Sequence, residues 1–178
     1  MNKYEDEKKV LKELGFSGKK LKLLTGLISM DNYETHKKAK NKILKEGEAM
    51  VPLMQQLAGS RSDLIRREAA KILKLIPRRS SIPVAIEMLG DRVSEIRWIG
   101  AEILIATGRG SIKPLLQELV NNGTSFYLRH GAHHVLSELI MEDDPQELKD
   151  FLHVTLSGDE LPDVIPVKAE QLLKKHLV

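Results

Sequence analysis

The chain has 178 residues, a formal net charge of +3, no cysteine, and 42% hydrophobic but only 4% aromatic residues. That length suits one domain with a sizeable core, and the missing cysteine excludes disulfides and Cys-ligated zinc or iron–sulfur centres. No apolar run is long enough to span a membrane and no secretory core is found, so no membrane partner and a cytoplasmic location are expected.

The first segment, about residues 3–14, is charged and reads as a capping helix. Leu21, Leu23, Leu24, Leu27 and Ile28 then form an apolar helix. Asp31 precedes Lys37 by six residues, and Ile43 and Leu44 follow at helical spacing. From there a fixed period takes over: Pro52, Pro83, Pro114 and Pro145 each lie 31 residues apart. A period of this size is the signature of a repeat architecture.

Each proline is expected to open a helix, here called helix A, because the first turn does not need its N–H. Ser80, Ser111 and Asp144 precede three of the prolines and read as N-caps. Met50, Leu53, Met54 and Leu57 follow the helical period in one copy; Ile112, Leu115, Leu116 and Leu119 follow it in another. A second helix, B, comes after a short polar turn. Ile65-Arg66 leads to Ala69, Ile72 and Leu73; Ile96-Arg97 to Gly100, Ile103 and Leu104; Leu128-Arg129 to Ala132, Val135 and Leu136. The small residue three positions after each arginine is expected to let two helix backbones approach, and the large ones to fill the gap between layers. Downstream, Leu148, Phe151 and Leu152 follow Pro145. A longer loop, Ser157 to Glu160, then leads to a last helix with Ala169, Leu172 and Leu173 but no arginine. Terminal repeats are atypical because they cap the stack.

The middle copy, with Pro83, Asp91 and Ile96-Arg97, resembles the HEAT repeat: a proline in the first helix, an aspartate at the turn, a hydrophobic–Arg pair opening the second. The short period is similar to the HEAT-like repeats of the phycobilin-lyase type. The aspartate position holds Ser60 in the copy before and Asn122 in the copy after. The resemblance implies an all-α fold, a right-handed superhelix of about five helix pairs in a single domain spanning residues 1–178. The repeats fall at about 15–46, 47–77, 78–108, 109–140 and 141–178. It also implies that Arg66, Arg97 and Arg129 form a structural ladder onto turn aspartates and carbonyls, and that the B helices line a concave binding face.

Taking each arginine as reference, positions one, five and eight residues later share a helix face. That face reads Lys38, Lys42, Lys45; then Arg67, Lys71, Lys74; then Trp98, Glu102, Ile105; then His130, His134, Ser137. Its first half is cationic and is extended by Arg78 and Arg79. Residues 1–79 carry 19 Lys/Arg against 10 Asp/Glu, and residues 80–178 carry 9 against 15. Such a field orients partners. The stripe suits an acidic protein segment or a nucleic-acid backbone, while a solvated charged face is the plain alternative. Trp98, the one tryptophan, reads as an anchor or stacking platform, or as cover for the seam between repeats. His130 and His134 are one turn apart, with Glu138 a further turn on, a spacing compatible with a metal although the pattern is common on helix surfaces. No glycine-rich phosphate loop or nucleophile elbow occurs, and no cofactor is expected. The leading expectation is a non-enzymatic protein-binding scaffold with a partner carrying an acidic segment. Nucleic-acid binding is the alternative, and a metal-dependent or lyase-type enzyme the third reading.

Overall fold

The structure is a computed structural model that describes residues 4–156 and 163–176. Among these residues it is helical throughout, with no strand. The chain divides into two compact units, Met1–Ile76 and Pro77–Val178.

The first unit holds α1 (Glu5–Glu13), α2 (Gly18–Leu27), α3 (Tyr33–Glu46), α4 (Val51–Ala58) and α5 (Asp63–Leu75). α1 packs on α2, α2 pairs with α3, α4 pairs with α5, and α3 packs against α5. Leu11, Leu24, Ile43, Met54, Ile72 and Leu73 are among its fully buried side chains. The second unit holds α6 (Ile82–Leu89), α7 (Ser94–Thr107), α8 (Ile112–Asn122), α9 (Phe126–Leu139), α10 (Gln146–Leu156) and α11 (Val164–His176). Here α6 pairs with α7 and α8 with α9, while α6 also meets α8 and α7 meets α9. These are two layers: first helices on first helices, second on second.

The prolines sit where the sequence puts them. Pro52 and Pro83 lie in the first turn of α4 and α6, Pro114 is the third residue of α8, and Pro145 immediately precedes α10. The serine caps differ from expectation. Ser111 makes no cap to α8; its buried hydroxyl donates to the Leu104 carbonyl at 2.9 Å and satisfies the end of α7 instead. A short 3-10 turn supplies the entry to α4, α6 and α8. At α8 this turn leaves the Ser111 hydroxyl aimed into the protein rather than along the new helix, whereas Ser80, ahead of α6, is exposed. Side-chain caps occur on the second helices: Asn32 accepts from Thr35 N–H, Ser62 from Ile65 N–H and Ser125 from Leu128 N–H.

The arginine ladder is a set of turn clamps. Arg66 Nη1 donates to the Ser60 carbonyl at 3.0 Å, Arg97 Nη1 to Asp91 at 2.7 Å, and Arg129 Nη1 to Thr124 at 2.8 Å. Each guanidinium thus holds the turn that precedes its own helix. The Asp91 carboxylate accepts from Val93 N–H at 2.8 Å, folding the turn from inside.

Gly100 marks a close approach within the second unit. A Cβ there would lie 2.7 Å from Met88 Cβ and 2.8 Å from the Ala85 carbonyl oxygen, so α7 and α6 touch nearly backbone to backbone. The last two helices break the layer order. α10 packs on α9 and α11 packs on α8, and α10 also meets α11. The last helix therefore lies on the first-helix layer, not on the second-helix layer that the repeat order leads one to expect. The Ser157–Glu160 loop named from the sequence lies outside the described residues.

Candidate functional site

The aligned positions separate into two surfaces, one in each unit. In the first unit, Lys38, Lys42 and Lys45 are exposed along α3, and Lys74 is exposed on α5. Arg67 and Lys71 are only partly exposed. Lys71 is engaged inward: its Nζ donates to Glu68 Oε1 at 3.1 Å. Glu68 is 2% exposed, and its other oxygen lies 3.7 Å from His36 Nε2. The other imidazole nitrogen, Nδ1, is 2.6 Å from the Leu27 carbonyl and must donate to it. A buried carboxylate is costly unless paired, and here a lysine and a histidine flank it. The six cations are therefore not equivalent. Replacing Lys71 with glutamate sets two carboxylates together, one of them buried, and is expected to lower stability by about 2 kcal/mol. Lys42→Glu, on an exposed position, should change it by less than about 0.5 kcal/mol. Urea denaturation of both variants checks this, and equal midpoints would refute the inward role of Lys71.

In the second unit α7 and α9 enclose a groove of about 390 Å³ whose lining includes Arg97, Trp98, Ala101, Tyr127, His130 and His134. Trp98 is 56% exposed, Phe126 58% and Tyr127 46%. Their rings are ordered by neighbours. His134 stacks on Trp98, centroids 4.7 Å apart and planes 16° from parallel. His130 lies 4.4 Å from Phe126, and the Arg97 guanidinium sits over the Tyr127 ring at 3.9 Å. Arg97 is at once a turn clamp and a cation over an aromatic face, a contact worth about 0.5–1 kcal/mol at an exposed site. Three large aromatic side chains thus stand about half exposed at and beside this groove.

The structure brings Trp98 and His134 together as the shared face predicts. Glu102 lies one turn along α7, partly buried. Phe126 and Tyr127 are the residues that sequence reasoning missed. The available signal was the line Phe126, His130, His134 at successive i,i+4 steps. The metal reading does not assemble. His134 and His130 are each in ring contact, Glu138 is exposed, and no group of three or more His, Cys, Asp or Glu among the described residues could hold an ion. His133 is a joint, not a ligand. Its Nδ1 lies 3.1 Å from the Leu152 carbonyl and 3.0 Å from Thr155 Oγ1 on α10. Burial pushes its pKa below the ordinary histidine value, against the raising effect of the Leu152 hydrogen bond.

The Trp98–His134 stack gives a direct check on the geometry. An imidazole stacked on the indole shields that face, so His134→Ala should raise the acrylamide quenching of Trp98 emission above that of wild type. Equal quenching in the two proteins would show that the stack does not persist in solution.

Helix pairs joined by short turns, arginine-clamped and layered first on first and second on second, define a helical-repeat protein. Residues 50–137 match the family model for HEAT repeats. No curated protein and no solved structure matches the chain. No helix among the described residues is long and apolar enough to cross a membrane.

Proposed function

We propose that this chain is a non-enzymatic protein-binding module whose contact surface is the groove between α7 and α9. HEAT repeats commonly serve as protein-interaction scaffolds. The observation that carries the reading is the cluster of Trp98, Phe126 and Tyr127, about half exposed and held in place by His134, His130 and Arg97. Large, rigid aromatic side chains of low conformational entropy are the usual centres of binding energy. Immobilised wild-type protein should retain a specific protein from extract, and Trp98→Ala and Tyr127→Ala should each release most of it. Retention that is indifferent to both substitutions would refute the assignment of this surface.

A second reading rests on a separate observation, the exposed run Lys38, Lys42 and Lys45 on α3. That stripe suits a polyanion, either an acidic protein segment or a nucleic acid. Anisotropy of labelled duplex and single-stranded nucleic acid at low and near-physiological salt distinguishes them. A nucleic-acid site loses affinity steeply with salt and on Lys42→Glu; an acidic-peptide site shows little affinity for nucleic acid at the higher salt.

A further inference from the structure

The chemistry of the α7–α9 groove narrows the kind of segment it accepts, an argument that rests on the protein-binding reading of that surface. Its side-chain hydrogen-bonding groups are the Trp98 indole, the Arg97 guanidinium, the Tyr127 phenol, the Ser94 hydroxyl and imidazoles. Each can donate, two of them can only donate, and no carboxylate or carboxamide lines the groove. The floor between the rings is formed by small residues, Ala101 and Gly131. Each main ring is backed on one side, Trp98 by His134 and Tyr127 by Arg97, and remains about half exposed. The groove is therefore a donor-rich slot between rings already held in place.

A polyanion is disfavoured because the unit Pro77–Val178 carries 11 Lys/Arg against 15 Asp/Glu. A cation is disfavoured by Arg97 at the groove itself. The complement is a neutral chain that offers acceptors and few donors, with flat apolar faces for the rings. Proline-rich sequence in the polyproline II conformation has that chemistry. Its prolines lack N–H groups, its carbonyls point outward for hydrogen bonding, and its stiffness lowers the entropy cost of docking. Aromatic-lined grooves recognise such segments by packing proline rings between aromatic side chains. We infer that the α7–α9 groove binds a proline-rich segment of a partner protein, with Trp98 and Tyr127 as the rings that hold it.

The test titrates the full chain with a capped polyproline peptide of about ten residues. Trp98 emission and calorimetry are the readouts. A glycine–serine peptide and a thymidine oligonucleotide of matched length are the comparisons. The expected result is saturable binding of polyproline, none of the glycine–serine peptide, and weakening by about tenfold or more in Trp98→Ala and in Tyr127→Ala. Both side chains are about half exposed, so both variants should keep the wild-type circular dichroism and unfold cooperatively. Three results would overturn the inference: no saturable polyproline binding, tighter binding of the oligonucleotide at the same residues, or Trp98-dependent self-association in sedimentation velocity, which would make a second copy the occupant. If polyproline fails while Trp98-dependent retention of a protein persists, only the proline assignment falls. If both fail, the protein-binding reading of the groove falls with it.

Discussion

Gly100→Val is expected to destabilise the second unit by about 3 kcal/mol, the upper end of the usual cost of overpacking. The added Cβ alone would stand 2.7 Å from Met88 Cβ and 2.8 Å from the Ala85 carbonyl oxygen. One of those neighbours is backbone and the other is the root of a side chain, so neither can swing away. α7 must move off α6, and that separation loosens the contacts of Ile96, Ile103 and Leu104, all fully buried. Alanine at the same position regains about 1 kcal/mol of helix propensity, so its net loss should be nearer 1 kcal/mol. Gly90→Ala is the control. Gly90 has φ −91°, and a Cβ there meets only the Glu87 carbonyl oxygen at an ordinary 3.6 Å. Urea denaturation followed by circular dichroism should leave Gly90→Ala near wild type and move Gly100→Val far down. Similar midpoints for the two would show that the close approach of α7 to α6 is not maintained in solution.

The second large effect is expected at Asp144. Its carboxylate takes both arms of Arg109, Nη1 to Oδ2 at 2.7 Å and Nη2 to Oδ1 at 2.5 Å, and also accepts from Met141 N–H at 2.7 Å. Arg109 Nη1 reaches the Leu139 carbonyl at 2.9 Å as well. One guanidinium thus ties the entry to α8 to the end of α9 and to the turn before α10. The bond to Arg109 is the main reason the Asp144 pKa falls from 3.8 to about 2, although burial opposes it. The folded protein therefore holds this proton less tightly than the unfolded chain does. The stabilisation is fully present above about pH 4 and is lost as the pH falls through about pH 2. At 1.36 kcal/mol per unit this shift corresponds to about 2 kcal/mol. Arg109 is 48% exposed, so solvent screening brings the expected loss in Asp144→Asn to about 1–2 kcal/mol at neutral pH. Denaturation midpoints measured from about pH 6 to about pH 2 should show a shallower acid limb in Asp144→Asn than in wild type. Parallel limbs would exclude Asp144 as a source of the acid sensitivity.

The period of the prolines made the helix starts legible, because a proline is tolerated in a first turn and nowhere else in a helix. The arginine three residues before each small residue likewise announced the turn clamps, and Gly100 announced a close approach. The role of Ser111 was not legible: the 3-10 turn before Pro114 rotates its hydroxyl to the Leu104 carbonyl and away from the helix it precedes. At the candidate site, Trp98 and His134 could be placed on one face by counting. Phe126 and Tyr127 lie before the arginine reference, so the count from it passes them over, although Phe126 precedes His130 by one turn. The inward engagement of Lys71 was hidden for a similar reason. Helical counting puts it with Lys38 and Lys42, but only the buried Glu68 shows which way its ammonium turns.

The seating of α11 on α8 bears on how the second unit acquires its structure. In a regular array every interface joins neighbours in sequence, and order spreads from one repeat to the next. Here the last interface spans about forty residues, from the end of α8 at Asn122 to the start of α11 at Val164, and α9 and α10 lie within that span. Closing so long a loop carries an entropic toll before any contact returns energy. Non-local contacts of this kind slow the approach to the native state. Zipper-like growth between sequence neighbours therefore gives way at the far end to a clasp.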